Sequence, residues 1–154
     1  MSRRYASWSP ADTGRLAARL AAVLKDGDCL AVYGDLGAGK TVFAAALKAA
    51  LGAAGEMQSP TFTILRSYEP SAGGPAFHHF DAYRLSGPAE WFDLGFAEIA
   101  GQTGVSLIEW ADVVDAALPP HTIRLSINRS AAGDDARELT LAFPEGDSRA
   151  DLEL

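Results

Sequence analysis

Late in its first third the chain reads Gly34-Asp35-Leu36-Gly37-Ala38-Gly39-Lys40-Thr41, which satisfies the pattern G-x-x-x-x-G-K-[ST] in full. That spacing has a chemical meaning. Glycines at 34, 37 and 39 let the backbone curl without Cβ clashes, so that successive N–H groups converge on phosphate oxygens at the positive end of a following helix. Lys40 then reaches the β and γ phosphates, and the Thr41 hydroxyl is placed to ligate Mg²⁺. The candidate nucleotide-binding set is therefore Asp35, Leu36, Gly37, Ala38, Gly39, Lys40 and Thr41.

Such a loop also needs a carboxylate on a neighbouring strand to hold the metal directly or through water. Two apolar runs end in an acid: Phe77-His78-His79-Phe80 in Asp81, and Val105-Ser106-Leu107-Ile108 in Glu109. Either one suits the metal, and having both suggests that one serves the metal and the other the attacking water. His78 and His79 are neighbours in a strand and point to opposite faces, so they do not share one ion and are read as hydrogen-bonded structural residues. Trp110 either packs or lines the site.

The elements that must position these groups follow from periodicity. Ser9-Pro10 caps a helix over about 10–26, with Leu16, Leu20, Val23 and Leu24 at helical spacing. Residues 28–33 are almost wholly apolar, as in a strand covered on both faces of a parallel sheet. Thr41 to Leu51 follows as a helix ended by Gly52. Residues 61–68 and 76–80 read as strands around a Gly/Pro-rich loop, 89–100 as a helix, 105–110 as a strand and 111–118 as a short helix. Alternation over 123–127 and 139–143 predicts a terminal antiparallel pair. The expected fold is an α/β, three-layer P-loop NTPase fold with a mainly parallel central sheet and antiparallel additions.

With 154 residues the chain suits one domain, expected to span 1–154 with 1–8 and 145–154 flexible. Hydrophobic residues at 48% and charged residues at 21% exclude global disorder. Thirteen Lys and Arg against twenty Asp and Glu give a net charge of −7, and no basic patch offsets it, so direct nucleic-acid binding is expected to be weak or absent. Cys29 is the only cysteine, which excludes an internal disulfide and reads as a buried, inert thiol. Residues 1–10 lack a signal-peptide core and no run is long enough to span a bilayer, so a cytoplasmic location without membrane association is expected.

Taken together, the glycine loop, Ser59-Pro60-Thr61-Phe62-Thr63, His79-Phe80-Asp81-Ala82-Tyr83-Arg84-Leu85, Asp93-Leu94-Gly95-Phe96 and Ile108-Glu109-Trp110 resemble the TsaE (YjeE) family of small bacterial ATPases. The resemblance covers roughly residues 9 to 128. It implies a Mg²⁺-dependent ATPase required for threonylcarbamoyladenosine (t6A37) modification of tRNA, which hydrolyses ATP slowly to drive a cycle of a complex with the TsaB and TsaD proteins. It further implies Thr41 and Glu109 as magnesium ligands, with Lys40, Asp81 and Thr61 in catalysis. Asp81 would lie near the γ-phosphate and Thr61 in a switch-like loop. Thr13 matches a position near the nucleotide base, and Arg129 is a candidate there too. Ala82 replaces a commoner Leu. No N-K-x-D guanine signature is present, which favours adenine. The alternatives are a non-catalytic, nucleotide-dependent scaffold and a small-molecule kinase, the latter lacking an arginine-rich lid.

Overall fold

The computed structural model describes residues 2–60 and 62–154. In chain order its elements are β1 (Ser2–Ser7), α1 (Pro10–Ala21), β2 (Cys29–Tyr33), α2 (Lys40–Leu51), β3 (Leu65–Tyr68), β4 (Phe77–Asp81), α3 (Pro88–Asp93), β5 (Val105–Glu109), β6 (Ile123–Arg129) and β7 (Arg137–Ala142). Among the described residues the strands form one seven-stranded sheet in the order β1-β7-β6-β2-β5-β4-β3. Its middle, β6-β2-β5-β4, is parallel, and both margins are antiparallel. The result is a mixed α/β fold.

The apolar runs become the centre of the sheet for the reason their composition suggests. Cys29 to Val32 have no exposed surface, and their side chains alternate between two cores. Leu30 and Val32 join Leu107, Ile123 and Leu125 under α1 and α2, while Cys29 and Ala31 join Phe80, Ile108 and Trp91 on the opposite face. The second core covers β2, β5 and β4. Beyond it, Arg124, Asn128 and Glu138 stand exposed on the uncovered half of the same face. Burial pushes the Cys29 thiol up to about 12, which makes it inert as expected.

Several boundaries differ from the sequence reading, each for a local reason. Helix α1 begins at Pro10 behind a Ser9 cap that accepts the Asp12 N–H at 3.2 Å, but it ends at Ala21 rather than near residue 26. The helix expected over 89–100 stops at Asp93, because Gly95 takes a left-handed φ of +77° and the chain resumes as a 3-10 turn at Phe96–Glu98. The helix expected over 111–118 is a pair of 3-10 turns, Ala111–Val113 and Asp115–Ala117, where β-branched Val113 and Val114 disfavour a continuous helix. The first middle strand starts at Leu65, four residues later than expected.

At both ends, where the sequence reading assigned no element, the structure has regular backbone. Ser2–Ser7 pairs along its length with β7, from Ser2↔Ala142 to Ser7↔Arg137, and Tyr5 packs on the first core. At the other end Ser148–Asp151 forms a 3-10 turn and Leu154 is buried. Arg149 holds this turn by donating to both oxygens of Asp28, at 2.5 and 3.2 Å, and to Asp147 at 2.7 Å. Its hydrogen bonds to Asp147 and Asp28 raise the guanidinium, and the same contact lowers Asp147.

Because a depressed carboxylate contributes stability above its unfolded pKa and loses it as pH falls, this clip is strongest at neutral pH. Arg149→Ala is expected to lower the unfolding free energy by about 2 kcal/mol at pH 7. The difference from wild type should shrink as pH falls through the unfolded Asp147 value of 3.8, as urea titrations at several pH values would read.

Candidate functional site

The glycine-rich loop joins β2 to α2, and its backbone needs the glycines it has. Gly34, Gly37 and Gly39 sit at φ of +151°, +76° and +111°. A Cβ on Gly34 would lie 2.4 Å from the Ile127 carbonyl oxygen of β6, so both the torsion and the close approach demand glycine there. The loop is also held from the β6–β7 pair. Arg137 donates from Nε to the Ala38 carbonyl at 2.7 Å and from Nη2 to the Gly37 carbonyl at 3.3 Å. Its register partner across the pair is Arg129, whose guanidinium lies against Gly37.

Helix α2 starts immediately behind Gly39 with no side-chain cap and no acid in its first turn. Its positive end therefore faces the adjoining cleft without a cap or an acid from the helix itself. The cleft has a volume of about 520 Å³, and Gly37, Lys40, Thr41, Asp81, Glu109 and Trp110 are among the residues lining it. That volume lies within the roughly 300–1,000 Å³ common for small-molecule sites.

Lys40 is buried, with 5% of its surface exposed. Its ammonium donates to the carbonyls of Gly34 at 2.5 Å and Asp35 at 2.8 Å, and it lies 4.1 Å from the centre of the Trp110 ring. Burial lowers its pKa, while Glu109, Asp35, Asp81 and Asp112 act in the opposite sense. Trp110 is a non-glycine residue at φ +56°, an unfavourable conformation that aims its ring at Lys40 and at Tyr83, 4.9 Å away between centroids.

The two acids come together through strand register. Parallel pairing of β4 with β5 sets Asp81 opposite Glu109, and strand alternation turns both toward the α2 face. Glu109 is 4% exposed, and its Oε1 accepts from the Thr41 hydroxyl at 3.0 Å. Asp81 accepts the Tyr83 backbone N–H at 3.0 Å, so it shapes the turn after β4 as well as facing the cleft. His79 lies two residues before Asp81 on the same face, with Nε2 at 2.6 Å from Glu109 Oε2. His78 points the other way and shares a 2.8 Å hydrogen bond with the Ser67 hydroxyl. Among the described residues no group of three or more His, Cys, Asp or Glu side chains gathers to hold a metal.

Of the residues singled out in the sequence, Leu36, Gly37, Gly39, Lys40, Thr41, Asp81 and Glu109 line one cleft. Asp35 contributes its carbonyl to Lys40, and buried Ala38 contributes its own to Arg137. Thr13 is buried beside Ser7, with their hydroxyls 2.8 Å apart, and borders a small neighbouring recess with Gly39, Val42 and Arg137 rather than the main cleft. Thr61 lies outside the described residues. Val42, Tyr83 and Arg137 are the cleft residues that sequence reasoning missed. Nothing local marks Arg137, which reaches Ala38 from 99 positions away. Tyr83 stood inside a noted segment without a role.

Fold and cleft together define an α/β protein with a glycine-rich strand-to-helix loop facing two register-paired acids. The model of the family described as "Threonylcarbamoyl adenosine biosynthesis protein TsaE" matches residues 7–139. The chain is 39% identical over 137 residues to the tRNA threonylcarbamoyladenosine biosynthesis protein TsaE of Bacillus subtilis, covering 89% of this chain and 83% of that one. It is 38% identical over 139 residues to the protein of the same name from Treponema pallidum, covering 90% and 99%. A crystal structure of Bacillus subtilis YdiB superposes with a TM-score of 0.71 at 34% identity, over 93% of this chain and 86% of that one. The chain belongs to the TsaE family.

The loop geometry yields a direct check. Gly34→Ala is expected to lower stability by at least about 2 kcal/mol in chemical denaturation, since it adds a clash to a left-handed torsion. Gly133→Ala, where a Cβ meets open space, should change stability by less than about 0.5 kcal/mol.

Proposed function

We propose that this chain is a magnesium-dependent P-loop ATPase serving threonylcarbamoyladenosine modification of tRNA in the cytoplasm, where its hydrolysis drives a cycle of a TsaB–TsaD complex. The observation that carries the reading is the 3.0 Å contact between the Thr41 hydroxyl and Glu109 Oε1, at the start of a helix whose first residue, Lys40, lines the same cleft as Gly37 and Gly39 of the preceding loop. Phosphate is the ligand class for that arrangement. Loop amides and the helix end bind its oxygens, and Lys40 exchanges its loop carbonyls for the β and γ phosphates.

The donors fit magnesium. A hydroxyl and a carboxylate are hard oxygen ligands, and leaving the other positions to water and phosphate is how this ion is usually held. Thr41 and Glu109 would hold it, and its chemistry there would be to neutralise charge on the phosphate oxygens. Asp81, across the register from Glu109, accepts a hydrogen bond from the attacking water and orients it toward the γ-phosphate. Trp110 and Tyr83 wall the cleft against bulk water. Water adds to phosphorus as the β–γ bridging bond breaks, giving ADP and inorganic phosphate. Thr61 is assigned to sensing the γ-phosphate, and Thr13 with Arg129 and Arg137 to the nucleoside end. The net charge of −7 favours partner proteins, rather than this chain, as the surface that meets tRNA.

Phosphate release by the purified chain, alone and with TsaB and TsaD, tests the assignment. Lys40→Ala should weaken ATP binding at least about tenfold, whereas Asp81→Ala should bind ATP nearly as wild type and turn over roughly 10²-fold more slowly. Glu109→Ala should lose the magnesium dependence of binding. Unchanged hydrolysis in all three variants would sink the site. Tight ATP binding without turnover even in the complex would favour a nucleotide-dependent scaffold, and phosphate delivered to a metabolite would favour a kinase.

A further inference from the structure

His79 has no part in the chemistry above, yet its surroundings leave it little else to do. The side chain has no exposed surface, and its Nε2 meets Glu109 Oε2 at 2.6 Å. Its other ring nitrogen, Nδ1, is buried without a hydrogen-bond partner among the described residues. A carboxylate oxygen accepts, so an N–H of the ring stands on Nε2. With Nδ1 unpartnered, this is the one hydrogen bond that the ring makes among the described residues. The ring is packed 6.0 Å from the Phe77 ring, and β4 fixes its backbone against β5.

Glutamate reaches the cleft on a chain with several rotatable bonds, and a hydroxyl on an exposed threonine is a weak restraint on it. His79 is the stronger one. With Oε2 tied down, Oε1 is the oxygen left to face Thr41 and the cleft. We propose that His79 is a positioning residue for the magnesium site: its Nε2–H fixes the Glu109 carboxylate in the rotamer that presents Oε1 beside the Thr41 hydroxyl. The inference rests on Thr41 and Glu109 being the metal ligands. Partners in this position orient a ligand and tune its basicity, and their loss commonly costs 10–100-fold in metal affinity.

Asparagine and glutamine at position 79 separate positioning from packing. The glutamine amide can place an N–H near the position of Nε2, whereas the shorter asparagine amide stops near Nδ1 and does not reach Glu109. Calorimetry of a non-hydrolysable ATP analogue binding to the full chain, once with Mg²⁺ and once with EDTA, gives the gain in affinity due to the metal. His79→Asn should match wild type in EDTA within about twofold and lose about tenfold or more of the gain due to Mg²⁺. His79→Gln should keep that gain within about threefold.

Equal losses in the Asn and Gln variants, or a full gain retained by His79→Asn, would overturn the proposal. Glu109→Gln is the reference for complete loss. If it loses the gain and His79→Asn does not, only the role of His79 fails; if wild type shows no gain from Mg²⁺ at all, the metal reading fails and takes this inference with it. Histidine ¹⁵N NMR of the wild-type chain needs no variant to fold. It should show a solvent-protected Nε2–H whose resonance moves when Mg²⁺ is added to the nucleotide complex, and a ring with no proton on Nε2 would overturn the assignment.

Discussion

A carboxylate with 4% of its surface exposed, at the end of a strand buried throughout, is the constraint around which this molecule is arranged. An ionised group so placed is tolerable only when its oxygens have donors. Glu109 has one for each, Thr41 from α2 and His79 from β4. A single side chain therefore ties β5, α2 and β4 together. It also sets conditions on the rest of the sheet. Strand β4 must run parallel to β5 in the observed register for His79 and Asp81 to reach the α2 face together, and the loop after β2 must end where Thr41 can meet Oε1.

The elements that read clearly in the sequence are those whose determinants are local. An apolar run such as Cys29 to Val32 announces burial on both faces, and the glycine spacing from 34 to 41 announces a tight turn into a helix. Boundaries failed where one residue outweighed periodicity. Trp91, Leu94 and Phe96 keep a helical stripe across Gly95, but the left-handed torsion at that glycine ends the helix. At the chain ends, where no element was expected, the reason is the opposite. Strand β1 exists because β7 offers it a partner some 135 positions away, and an edge strand carrying Arg3-Arg4 has too few inward apolar residues to signal itself. The C-terminal turn likewise depends on Asp28, 121 positions from Arg149.

The site divides along the same line. Asp81 and Glu109 were visible because a phosphate-binding loop needs a carboxylate on a neighbouring strand and these two close apolar runs, and parallel strands bring their ends to one level. Which acid touches Thr41 is a matter of register, and no spacing in the sequence encodes it. Strand parity put His78 and His79 on opposite faces, but it could not tell which face would hold the cleft. Arg137 was invisible: its role comes from two loop carbonyls that the fold carries to it across the sheet.

The electrostatics of the cleft then bear on what can enter it. Lys40 carries one charge against Glu109, Asp35, Asp81 and Asp112, and among the described residues Arg137 is the other cation lining the cleft. The Lys40 ammonium is already engaged by two carbonyls and the face of Trp110. A polyphosphate arriving alone gains Lys40 and the α2 terminus but must lie beside Asp81 and Glu109, where like charges in a poorly hydrated cleft repel strongly. One arriving with a divalent cation turns Glu109 from an opponent into a ligand and leaves Asp81 to meet a neutral water. Under the proposed reading the acids are thus a filter, admitting the nucleotide as its metal complex and opposing it without the metal. The favourable side of that filter requires Oε1 to be presented beside the Thr41 hydroxyl, since a carboxylate oxygen turned elsewhere in the cleft still opposes the phosphates but offers the metal no ligand.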